Sequence, residues 1–248
     1  MQFNENQNNA ALIEASSDAF RHPEWDELER ASTKVILRWA WETLGTGVFV
    51  SSSFQTQSVP LLHIVSQVCP QMTVLFLDTG YHFPETLAFR DELQKAFGLK
   101  IRTIRPISAG SQSDIAQESP LYSVNPDLCC HLNKVKPMRM ALEDALGWIS
   151  GVRRDQTSRR AELKVVEAEP SGILKIHPML HWRREEIWDY IKNHNLPKHP
   201  LHGQGYRSIG CAPCTRPAGQ GEDDRDGRWP GREKTECGLH TQRAPLAS

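Results

Sequence analysis

Five of the six cysteines in this 248-residue chain stand at positions whose spacing or setting could do chemistry. Cys129-Cys130 and Cys211-x-x-Cys214 form two close pairs, and four thiolates brought to one point hold either an iron–sulfur cluster or a zinc ion. A zinc ribbon uses pairs spaced by two to four residues, so a directly adjacent pair suits it poorly. Neighbouring side chains on a helix diverge by about 100°, which matches two corners of a cubane better than two ligands of one small ion. Spacing favours the cluster and leaves zinc, a redox thiol pair or plain packing open.

Cys237 lies apart, in the polar stretch Glu236-Cys237-Gly238-Leu239-His240. It reads as a nucleophile: Arg232, Lys234 and His240 offset the charge of an attacking sulfur, whereas Glu236 opposes them. The competing reading is an unreactive surface cysteine. Cys69, between Val68 and Pro70 at the end of an apolar run, reads as a buried packing residue.

A second group of residues could bind an anion. Ser51-Ser52-Ser53-Phe54-Gln55-Thr56-Gln57-Ser58 sits between a predicted strand and a helix start, where free N–H groups and hydroxyls suit phosphate or sulfate. It lacks the Walker pattern, and it serves equally as an ordinary helix cap. Asp78 at a strand end accepts from a ribose hydroxyl or caps a turn. Arg153 and Arg154 follow another strand and offer two guanidinium groups to oxyanions. Arg225 and Arg228 precede Cys237, and Lys134 lies one helical turn after Cys130.

These residues need a scaffold, and the apolar pattern supplies one. Strands are predicted over residues 47–50, 73–77, 100–104, 148–152 and 173–177, alternating with helices over 25–44, 57–68, 84–97, 125–146 and 183–193. That alternation predicts an α/β fold with a parallel sheet flanked by helices. The division expected is a polar N-terminal extension (1–24), a nucleotide-binding and iron–sulfur domain (25–214), and a loosely packed, mobile C-terminal catalytic tail (215–248).

Composition narrows the function classes. With 29 Lys+Arg against 30 Asp+Glu the net charge is −1, which argues against nucleic acid or a membrane surface as partner and makes any anion site local. The opening MQFNENQNNAALIEASSDAF has no basic and apolar signal pattern, and no apolar run approaches the roughly 20 residues of a membrane span, so a cytoplasmic location is expected. Thiols are kept reduced there, which turns the cysteines toward metal or redox work.

In combination, the Ser-rich loop 51–58, Leu77-Asp78-Thr79-Gly80, Cys129-Cys130 with Lys134, Gly151-Val152-Arg153-Arg154-Asp155-Gln156, Cys211-Ala212-Pro213-Cys214 and Lys234-Thr235-Glu236-Cys237-Gly238-Leu239-His240 resemble the assimilatory adenylyl-sulfate reductases, close relatives of the phosphoadenylyl-sulfate reductases. The resemblance implies the adenine nucleotide α-hydrolase (PP-loop) fold and a [4Fe-4S] cluster on Cys129, Cys130, Cys211 and Cys214. It implies that Cys237 attacks adenosine 5′-phosphosulfate, expelling AMP and leaving an S-sulfocysteine from which thioredoxin releases sulfite. Matching positions assign Ser52, Ser53, Asp78, Lys134, Arg153, Arg154, Arg225, Arg228 and His240 to the substrate. A homo-oligomer, dimer or tetramer, is also expected.

Relatives with both cysteine pairs mostly use the nucleotide without a 3′-phosphate, although some accept both forms. Ser52 and Ser53 replace glycines of the ATP pyrophosphatase loop, which argues against ATP cleavage. The alternatives are a phosphoadenylyl-sulfate reductase, a zinc-stabilised nucleotide-binding protein, and an ATP-dependent sulfur-transfer enzyme acting on tRNA.

Overall fold

Side-chain alternation within short apolar strands sends each residue to one of two opposite faces, and this alternation builds the core. In β2 (Thr73–Leu77), Val74 and Phe76 join one buried cluster and Leu75 the other. In β4 (Gly147–Ser150), Ile149 joins the first cluster and Trp148 the second. The computed structural model describes residues 23–106 and 119–239.

With β1 (Val48–Ser51), β3 (Lys100–Ile104), β5 (Val166–Ala168) and β6 (Leu174–Ile176), these strands form a six-stranded sheet of order β3-β2-β1-β4-β6-β5. All neighbours are parallel except β5 and β6. Val50 stands between Val74 and Ile149, and Ile149 faces Ile176 in turn. The chain runs outward from β1 through β2 to β3, then returns to place β4 on the other side of β1. Ligands of open α/β sheets bind at such a switch point, beyond the carboxyl ends of the strands.

The helices are α1 (Pro23–Leu28), α2 (Thr33–Leu44), α3 (Val59–Val68), α4 (Pro84–Phe97), α5 (Leu121–Val124), α6 (Pro126–Cys130), α7 (Lys136–Ala141) and α8 (Arg184–Asn193). Residues of α2, α3, α4 and α8 pack with one face of the sheet, and Met138 of α7 belongs to the smaller cluster on the other. The bounds of α4 follow from its sequence: Pro84 opens the helix, and Gly98 adopts φ 64 to end it with its N–H on the Gln94 carbonyl.

Three expectations change. The helix expected over 25–44 is two, because the Ser32 side chain accepts from Val35 N–H and starts α2 afresh. The helix expected over 125–146 is capped by Asn125, widens into a π turn over His131–Val135, and ends at Ala141. Strand β5 carries no apolar run to announce it, having only three residues, one of them Glu167.

A buried histidine fastens the segment that leads toward Cys211. His199 is 1% exposed; its backbone N–H donates to Thr56 Oγ1, its Nδ1 accepts from Leu201 N–H, and its Nε2 lies 3.0 Å from Thr86 Oγ1. Burial lowers its pKa to about 4. Between that value and the ordinary 6.5 the unfolded chain binds a proton that the folded chain refuses, so stability is full above the upper value and falls as the pH drops through the window. Urea unfolding is expected to show a loss of about 3 kcal/mol across it, and His199→Gln is expected to remove that part of the slope.

Candidate functional site

The Ser-rich loop leaves the carboxyl end of β1 through a left-handed residue. Phe54 has φ 53, held by burial of its ring edge-on to Phe76 at 5.4 Å and by its N–H on Ser52 Oγ at 3.0 Å. Ser52 is the acceptor there, so its own hydroxyl proton remains available to an anion. Ser53 Oγ lies 3.3 Å from Ser58 Oγ, and Gln55 accepts from Ile209 N–H, tying the loop to the strip before Cys211. One cavity lies over this edge, lined by Ser52, Ser53, Lys134, Arg225, Arg228 and Cys237 among others.

The four paired cysteines line a second, smaller cavity. Cys129 and Cys130 come from α6; Cys211 and Cys214 come from a turn in which Cys214 N–H donates to the Cys211 carbonyl. Two polar groups attend the sulfurs: Asn133 Nδ2 donates to Cys129 Sγ at 3.5 Å, and Thr79 Oγ1 lies 3.3 Å from Cys211 Sγ. Burial pushes the Cys130 thiol up to about 11 and raises Cys129 and Cys214 as well. Among the described residues no group of three or more His, Cys, Asp or Glu side chains is gathered as for a single metal ion.

Thr79, Lys134 and Cys211 line both cavities and so form the wall between them. Burial works against the charge on Lys134, but the sulfurs of Cys211, Cys237 and Cys130 outweigh it and raise its pKa.

The segment before Cys237 docks through a buried ion pair. Arg160 is 6% exposed and Glu236 7%; Arg160 donates through Nε and Nη2 to the two carboxylate oxygens, each at 2.8 Å. Thr157 Oγ1 adds a bond at 3.0 Å. Burial alone would raise the Glu236 pKa, but Arg160 and Arg225 bring it below the ordinary carboxylate value. Arg225 is pushed down to about 10 by burial, with Glu236 opposing. Residues 215–239, expected to be loosely packed, thus carry buried Thr215, Trp229 and Glu236.

The structure does not bring every sequence candidate together. Arg153 is buried and held by Asp155 at 2.9 Å and Gln57 at 2.8 Å, while Arg154 reaches the Leu163 carbonyl at 2.6 Å and Glu29 at 3.7 Å. Neither lines the Cys237 cavity. Asp78 accepts from Gly80 N–H in its own turn and pairs with exposed Arg105. His240 lies outside the described residues, as do the first 22 positions of the expected N-terminal extension. Sequence reasoning missed Arg160 and Trp229, and Glu236 it read only as an opposing charge.

A mostly parallel sheet flanked by helices, with a hydroxyl-rich loop at its switch point, places the chain in the α/β class, whose ligands bind at that edge. Residues 47–217 match the model of the phosphoadenosine phosphosulfate reductase domain, and the chain belongs to that family. It is 44% identical to the adenosine 5′-phosphosulfate reductase of Streptomyces coelicolor, over 86% of this chain and 90% of that one. It is 40% identical to that of Salinibacter ruber, over 87% and 86%. The crystal structure of a phosphoadenylyl-sulfate reductase from Candida auris superposes with a TM-score of 0.66 at 27% identity, covering 79% of this chain and 98% of that one. The FMN adenylyltransferase of Candida glabrata shares the fold, with a TM-score of 0.56 at 14% identity over 97% and 83%.

The ion pair makes a measurable claim about Cys237. Glu236→Gln leaves Arg160 buried without its counter-charge and is expected to loosen the segment, raising the alkylation rate of Cys237 about tenfold or more. Buried Cys69, mapped in the same digest, should react as slowly as before.

Proposed function

We propose that the chain reduces adenosine 5′-phosphosulfate to sulfite and AMP in sulfate assimilation, with Cys237 as the sulfur acceptor and thioredoxin as the electron donor. The observation that carries this reading is the position of Cys237 in the wall of a cavity that also presents Ser52, Ser53, Lys134, Arg225 and Arg228. An anionic nucleotide is held there against a nucleophile. The naming of the relatives at about 40% identity supports the substrate without a 3′-phosphate.

The Cys237 thiolate attacks the sulfuryl sulfur and forms an S–S bond while the S–O bond to the phosphate breaks, so the electron pair leaves with AMP. The cations offset the charge that would otherwise repel the thiolate. Cys237 then carries the sulfonate. One thiol of thioredoxin attacks Cys237 Sγ and expels sulfite, and its second thiol resolves the mixed disulfide, returning Cys237 reduced and thioredoxin oxidised. Those two electrons complete the balance.

Ser52, Ser53, Lys134, Arg225 and Arg228 take the phosphosulfate in this scheme, whereas Arg153, Arg154 and Asp78 brace the surrounding loops through the partners described above. His240 is proposed as a further contact from its motif position. For Cys237 to reach thioredoxin the docked tail has to open after the first step.

Four thiols around one cavity, with an amide and a hydroxyl beside two sulfurs, fit an iron–sulfur group. We assign a [4Fe-4S] cluster to Cys129, Cys130, Cys211 and Cys214. When bound, it supplies charge stabilisation at the sulfate end and no substrate electrons. Lys134, in the wall shared by the two cavities, is placed to carry that influence to the substrate.

Protein mixed with 35S-labelled adenosine 5′-phosphosulfate and no thioredoxin is expected to hold stoichiometric label on Cys237, released as sulfite by reduced thioredoxin. Equal labelling of Cys237→Ser sinks the mechanism, and faster turnover of the 3′-phosphorylated nucleotide overturns the substrate choice. Purified protein is expected to contain iron and acid-labile sulfide, both lost with the visible absorbance in Cys129→Ser and Cys214→Ser. Zinc in a colourless protein would replace the cluster with a structural ion.

A further inference from the structure

Three buried donors in the tail have no hydrogen-bond partner among the described residues, and they are close neighbours in sequence: Arg225 Nε, Arg228 Nε and Trp229 Nε1. All three side chains line the cavity that Cys237 borders. Buried indole N–H groups ordinarily find an acceptor, and an unmet one weakens the free protein.

Each of the three is held by its other atoms. Arg225 Nη2 donates to the Thr235 carbonyl at 2.7 Å and approaches Glu236 at 3.5 Å, leaving Nε free. The Arg228 guanidinium lies on Gly210 so closely that a Cβ there would come within 2.1 Å of Nη2. Trp229 is 3% exposed and has φ 48, a left-handed conformation that bulky residues seldom adopt. Its backbone N–H donates to the Cys214 carbonyl at 3.0 Å, next to the Thr215–Arg228 bridge, and its ring lies 4.6 Å from the Arg228 guanidinium. Strain and an unmet donor therefore meet at one residue on the cavity wall. Such coincidences mark ligand sites, where a bound group supplies what the fold withholds.

We propose that Trp229 is a substrate-binding residue whose indole N–H, together with Arg225 and Arg228 Nε–H, donates to the anionic oxygens of the phosphosulfate. The two guanidinium groups provide charge. The indole provides a neutral, directional donor on a rigid ring, fixing one oxygen and with it the orientation of the sulfur toward Cys237. The Cys214 carbonyl holds this donor by its backbone, so the cysteine turn and the anion site share a support. The inference rests on the reading that this nucleotide occupies the cavity.

The test uses the full chain as isolated, in the Cys237→Ser background so that adenosine 5′-phosphosulfate stays intact during calorimetric titration. Adding Trp229→Phe keeps the ring and removes the N–H. Affinity is expected to fall about tenfold or more, while the unfolding midpoint of the ligand-free protein stays level or rises. Equal affinity overturns the proposal, whether or not stability drops. In a Trp229-bearing protein labelled with 15N-indole tryptophan, the Trp229 N–H resonance should move when the nucleotide binds, and an unmoved resonance overturns the proposal without any variant at that position. Failure of Cys237→Ser itself to bind the nucleotide overturns the substrate assignment, and with it the acceptor of the indole.

Discussion

The position of Cys237 depends on one buried contact, the two-pronged bond of Arg160 to Glu236. Both ions give up water to make it, so its net contribution to stability is small beside the cost of removing one partner. What it secures is location. A guanidinium fork accepts a carboxylate in one plane and at one distance, which a patch of apolar contact does not impose. The residue after Glu236 is Cys237, and two residues further Leu239 packs into the smaller apolar cluster, so the cysteine is gripped from both sides.

Charge is arranged in the same spirit. A chain with net charge −1 presents Lys134, Arg225 and Arg228 to a single cavity, and neighbouring groups restrain the two arginines before any ligand arrives. Glu236 neutralises part of Arg225, and Gly210 and Trp229 receive Arg228. Side chains already placed lose little entropy when an anion binds, so local placement of cations offsets a near-neutral net charge.

The sequence made the scaffold legible where local signals agreed with tertiary ones. Strands β2 and β3 and helix α4 emerge with their predicted bounds because apolar runs end at Gly, Pro or Asp. Helix α2 did not, since the Ser32 cap sits inside a pattern that reads as continuous. The cysteine pairs were visible because thiols are rare and their spacing is informative. Arg160 was not, because a buried arginine and a surface one look alike until the partner, 76 positions away, is known. Arg153 and Arg154 were legible as a pair but not in their directions. Adjacent residues appeared to share an edge, but Arg153 is extended, at φ −127 and ψ 149, and successive side chains of extended backbone diverge.

The π turn over His131–Val135 sets a limit of another kind. A wide turn accommodates one more residue than the α-helical path, so the helix beyond it keeps its direction, whereas the same residue added to a plain α-helix would rotate everything beyond it by about 100° about the axis. Met138 and Leu142, which form the apolar seat for Leu239, lie just beyond, while Cys129, Cys130 and Lys134 lie before or within it. The wide turn is therefore the one place in this stretch where a change of one residue is absorbed locally. A single-residue deletion there would close the wide turn to an α-helical one, leaving the seat of Leu239 in place and moving only the side chains inside the turn, Lys134 among them.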